Sequence, residues 1–181
     1  MAKYIVGRQS QNINKIIRYT AVIGIYLFLL AIFQTSVLSV RKPFGGVPDL
    51  MMGTVLCISL YCGCHAGAIT GIAAGFLIDA FGSVGLSLLP LVYFLVAYFF
   101  GYYTKVLGMS GYVTYLIGVL ISLPVRLVTT LILSIAAAEG FRFSTFLLST
   151  ALPELLGTVI FSLILYFPAM WISKWLKRWN R

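Results

Sequence analysis

The chain has 181 residues, 61% of them hydrophobic and only 9% charged, with a formal net charge of +9. A soluble domain is about one-quarter charged, so that class is excluded, and little polar sequence is left for a separate soluble domain. The chain reads as an integral membrane protein whose basic residues, gathered mainly in two tails, point to topology and anionic lipid rather than nucleic acid.

Residues 1–18 form the first basic tail, with Lys3, Arg8, Lys15 and Arg18. It is too polar for the apolar stretch of a signal peptide, so the first hydrophobic run is expected to be retained. A helix needs about 20 apolar residues to cross the hydrocarbon. The run 19–40 satisfies this and ends at "RKPFGG". From Pro48 to Ala80 the chain stays apolar, with a soft break at "YCGCHAG". Two short spans, 48–63 and 65–80, are expected there, with a re-entrant pair as the alternative. Further spans are expected over 86–103, 112–138 and 153–172. Together they make one transmembrane domain over 19–173, followed by a second basic tail, 174–181, with Lys174, Lys177, Arg178 and Arg181. Basic flanks face the cytoplasm, and two basic tails on one side require an even number of spans. The expectation is an all-α, polytopic bundle of six spans with both termini inside. Lys105 then falls inside as well, and Arg41, Lys42 and Arg142 fall outside.

Four acidic residues exist. Glu139 sits in a polar loop beside Arg142, whereas Asp49, Asp79 and Glu154 stand at the outer ends of spans two, three and six. Arg126 lies near the middle of the fifth span, two residues after Pro124. An arginine at that depth needs a carboxylate, backbone carbonyls or water. Arg126 is 14 residues past Tyr112, and Asp79 is 14 past His65. At 1.5 Å per residue both lie roughly 21 Å along their helices, so Asp79 is a candidate partner, with Asp49 and Glu154 within reach. Such a pair either pins helices together or forms an intramembrane polar site. Pro48 before Asp49 and Pro153 before Glu154 suit the first turn of a helix, where proline costs no hydrogen bond and an acid complements the dipole.

Gly63, Gly67, Gly71 and Gly75 recur every four residues, broadened by Ala66 and Ala74 and ending on Asp79. Small residues at this spacing let another backbone approach closely in lipid. The stripe is therefore expected to be a packing face, toward another span of this chain or toward a partner. Trp171, Trp175 and Trp179 also recur every four residues among basic residues, which suits anchoring in the headgroups. Cys57, Cys62 and Cys64 are odd in number and imply no disulfide framework. "CGCH" at 62–65 offers too few ligands for a structural zinc site. No P-loop, HExxH or GxSxG motif is present, and no serine is placed near the lone His65, so no enzyme and no cofactor are expected.

"VPDL" opening the second span, the glycine-rich third span ending "GFLID", and "GSVGLSLLPLVYFLVAYFFGYYTK" resemble the MreD family of bacterial rod-shape-determining membrane proteins. The basic tails, the arginine in span five and the Pro-Glu opening the last span also fit. The likeness covers most of the chain and is weakest over 1–18 and 105–120. It implies a non-enzymatic scaffold of lateral cell-wall elongation in the bacterial cytoplasmic membrane. The implied partners are MreC and, directly or through it, MreB, RodA and a class B penicillin-binding protein; a homodimer is a further option. The family is similar in fold to the six-helix substrate-binding subunits of energy-coupling-factor transporters, which makes a vitamin-binding transport subunit the alternative function. Carried over by residue, the family's Pro-Asp motif falls on Pro48 and Asp49, and its Gly…Asp motif on Gly71, Gly75 and Asp79. The resemblance implies structural or interaction roles for these positions.

Overall fold

The shortest helix, Leu50–Cys62, organises the bundle. Its thirteen residues rise about 20 Å, less than the roughly 30 Å of hydrocarbon. It is apolar all round, with every residue from Leu50 to Ser59 buried, which is the signature of a helix enclosed by others. Ends that are buried in protein need not reach the headgroups.

The computed structural model describes residues 18, 20–41, 45–81, 88–137 and 152–179, the side chains of 133–137 and 176–179 excepted. Glu139, Arg142, Lys42, the tail residues before Arg18, residues 180 and 181, and the side chains of Lys177, Arg178 and Trp179 therefore lie outside the described residues. Six helices and no strand occur among those described. We label them α1 (Thr20–Arg41), α2 (Leu50–Cys62), α3 (Cys64–Phe81), α4 (Leu89–Val106), α5 (Tyr112–Ala137) and α6 (Leu152–Trp179). All except α2 are long and apolar enough to cross a membrane. The expected spans differ from these helices by a few residues, except at the end of the chain. There α6 runs on past Ile172 to Trp179, carrying Pro168 within it.

Neighbours in space fix the relative directions. Asp49 at the start of α2 meets Thr158 near the start of α6, and Cys62 at its end meets Ser173, so α2 and α6 run parallel. On α5, Tyr115 bonds Ser162 and Arg126 meets Glu154, so α5 runs against α6. Gly75 lies on Pro90 and Gly71 on Tyr93, which makes α3 and α4 antiparallel. Gln34 of α1 reaches Leu50 while Tyr26 lies beside Thr54, so α1 runs against α2. Thus α1, α3 and α5 point one way, and α2, α4 and α6 the other. The core fills with Met51, Val55 and Leu56 from α2, Tyr93 and Ala97 from α4, and Tyr115 and Val119 from α5.

The glycine stripe divides in two. Gly67 faces Ser59, with 2.8 Å between a Cβ placed there and the Ser59 Cα. A Cβ on Gly71 would stand 2.7 Å from the Tyr93 carbonyl oxygen, and one on Gly75 would stand 2.5 Å from the Pro90 nitrogen. These three glycines pack inside the chain, not against a partner. Gly63 does not belong with them, which corrects the expectation of four equivalent positions. It sits between α2 and α3 with φ +95°, and a Cβ there would meet nothing within 4 Å. Its task is the left-handed turn that reverses the chain, a conformation that glycine adopts at little cost. The close approach has a counterpart missed in the sequence: Gly101 of α4 lies against the backbone of Cys64, 2.7 Å from its Cα to an added Cβ.

Candidate functional site

The helix N-terminus of α2 needs donors satisfied in an apolar setting, and two distant side chains together with the N-cap residue itself supply the acceptors. The Asp49 N–H donates to Thr158 Oγ1 at 2.9 Å. Leu50 and Met51 donate their N–H groups to Gln34 Oε1 at 3.0 and 3.3 Å. Met52 donates to Asp49 Oδ1 at 3.1 Å, making Asp49 the N-cap. Pro48 therefore precedes the helix rather than opening its first turn, whereas Pro153 and Glu154 do lie in the first turn of α6. Gln34 belongs to a π-helical stretch, Phe33–Leu38, where the Ser39 N–H donates five residues back to the Gln34 carbonyl. Such widened turns occur mostly at functional places in helices.

The same aspartate anchors the charged cluster. Asp49 is 1% exposed, and its Oδ2 accepts from the Tyr93 hydroxyl at 2.5 Å. Arg126 Nε stands 3.3 Å from that oxygen and donates to Glu154 Oε1 at 3.1 Å. Thr158 completes the group: its hydroxyl donates to the Glu154 carbonyl at 2.7 Å while accepting from Asp49. One guanidinium thus draws together α5, α6 and the start of α2, with α4 attached through Tyr93. Paired carboxylates make a membrane-depth arginine affordable.

The sequence-expected polar residues separate accordingly. Arg126, Asp49 and Glu154 come together, and Asp79 does not join them: the salt bridges of Arg126 are to Asp49 and Glu154. Counting residues from helix starts made Asp79 a candidate partner, and the ion pairs that form instead join Arg126 to acids of α2 and α6. Gln34, Tyr93 and Thr158 were missed. Gln34 carried a signal, since it is the one amide side chain in the apolar run of α1. Tyr93 is one of eleven tyrosines and carried none.

At the other end, Trp171 is 72% exposed and Trp175 also faces outward, flanking exposed Lys174, whose Nζ lies 5.6 Å from the Tyr61 ring centroid. Tyr61 and Tyr166 join hydroxyls at 2.6 Å beneath it. Among the described residues no three His, Cys, Asp or Glu side chains gather as metal ligands would. No family model, curated protein or solved structure matches the chain.

Proposed function

We propose that the protein is a non-enzymatic, multi-pass scaffold of the MreD kind in the bacterial cytoplasmic membrane, holding MreC-like and wall-synthesis partners for lateral elongation. One observation carries it. Three sequence features behind the resemblance, the Pro-Asp of "VPDL", the arginine of span five and the Pro-Glu of the last span, are spread over more than a hundred residues yet meet in one cluster. A pattern that assembles in space is better support than the same soft motifs taken singly.

Six crossings with both termini inside go with this proposal. Alternating helix directions and the placing of Lys105 and Lys174 at one end of the bundle support them, because basic residues favour the cytoplasmic side. Trp171, Trp175 and Trp179 then serve as interfacial anchors beside anionic lipid. Cysteine-accessibility labelling in cells should find introduced cysteines at 107–111 protected with both tails and those at 42–44 labelled.

The function itself is tested by detergent pull-down with mass spectrometry. An MreC-like bitopic protein and wall-synthesis enzymes should be recovered, and depletion should round the cells. Recovery of an energising ATPase with a bound vitamin, and no wall-synthesis protein, would overturn the scaffold in favour of a transport subunit.

A further inference from the structure

The charged cluster is complete on one side only. Asp49 is fully engaged, by Met52 N–H at Oδ1 and by Tyr93 and Arg126 at Oδ2. Arg126 uses only Nε; its Nη1 and Nη2 groups hold four of the five guanidinium N–H donors and make no hydrogen bond with any described residue. Glu154 is 7% exposed, yet its Oε2 also makes no such bond and is not sealed from the outside. A donor fork on α5 and an acceptor oxygen on α6 thus belong to one cluster, and no described residue answers either of them. In hydrocarbon that is costly, so the arrangement calls for an occupant.

We propose that this open edge is a recognition site for a carboxamide, presented by an Asn or Gln side chain on a partner's transmembrane helix. The helical occupant rests on the scaffold function; the carboxamide chemistry does not. One positive charge already faces two negative ones, so a carboxylate would add a third negative charge, and a cation would meet the guanidinium fork. A carboxamide is neutral and offers both halves: its oxygen accepts from Nη, and its NH2 donates to Oε2. The surroundings fit a helix. Leu123 and Leu127 on α5 and Leu155 and Val159 on α6, within a turn or so of the cluster, are only half-buried. Arg126 lies eleven residues before Ala137, about 16 Å from that helix end, where a polar side chain on another helix has few alternatives.

The test uses the full chain, fluorescently labelled, in phosphatidylcholine vesicles. The probes are two single-span leucine-rich helices, one with a central Asn and one with Leu there. Energy transfer should report association of the Asn probe about five- to thirty-fold tighter than the Leu probe. Arg126→Lys keeps the charge but lacks the planar fork, and should bring the ratio below about twofold with the helical melt retained. Should that variant not fold, Glu154→Gln decides, because it keeps the shape and should lower the ratio at least about threefold. Equal binding of both probes, an undiminished ratio in a folded variant, or displacement of the Asn probe by millimolar free glutamine overturns the proposal. The probes need no wall-synthesis protein, so this result and the pull-down fail independently.

Discussion

The α3–α4 seam and the Asp49–Arg126–Glu154 cluster join helices by opposite means. Along the seam, Gly71, Gly75 and Gly101 contribute by having no side chain, so that backbone rests on backbone. In the cluster, long polar side chains bridge four helices across gaps that backbones do not close. Dispersion contacts of the first kind are short-ranged and tolerate almost no added volume. Charge pairing of the second kind tolerates small displacements but not the loss of a partner. The two regions should therefore respond to different substitutions, and they meet at Tyr93. Its backbone receives Gly71, and its hydroxyl bonds Asp49.

The largest effect should come from breaking the cluster. Arg126→Leu leaves Asp49 and Glu154 buried with no cation between them, and removing one member of a buried pair costs about 3–5 kcal/mol. A thermal or denaturant melt in detergent should fall accordingly. The triple change Arg126→Leu, Asp49→Asn, Glu154→Gln should recover most of that loss, because no uncompensated charge remains. If the triple variant is no better than Arg126→Leu, the cluster holds the bundle by shape rather than by charge balance.

Next comes the polar cap. Gln34→Leu is close in size but removes the acceptor for the Leu50 and Met51 N–H groups. Each buried donor left unmade costs about 1–3 kcal/mol. Hydrogen exchange should rise first at these two amides, while the α3–α4 seam keeps its protection. Equal loosening in both regions would mean that the seam depends on the cap.

How far the sequence reached follows from the same contrast. Helices and their order were legible because crossing hydrocarbon demands long apolar runs, and Pro, Gly and charge interrupt them. That Arg126 needs an acid was legible too, from the cost of burying its charge. Which acid was not: depth counted along each helix does not say which helices face one another, and it is α2 and α6 that present their acids to Arg126. The fourfold glycine repeat misled at Gly63 for a related reason. Spacing alone cannot distinguish a glycine inside a helix from one at a chain reversal, since both keep the four-residue step. Tyr93 and Thr158 became visible only once tertiary packing brought them beside Asp49.

The smallest effects test the seam by one substitution at two glycines. Gly75→Ala places a Cβ 2.5 Å from the Pro90 nitrogen, a backbone atom in a fixed ring that cannot swing aside. Forcing volume into such a contact costs about 1–3 kcal/mol, and the α3–α4 pair should separate slightly, read as a lower melt and a longer spin-label distance across the seam. Gly24→Ala on α1 adds the same methyl where nothing lies within 4 Å. There only the helix preference for alanine acts, worth up to roughly 1 kcal/mol in the stabilising direction. The two variants should move in opposite directions although the chemical change is identical. Should both destabilise alike, the surface around Gly24 is itself occupied in the membrane, and the close-approach explanation of Gly75 loses its contrast.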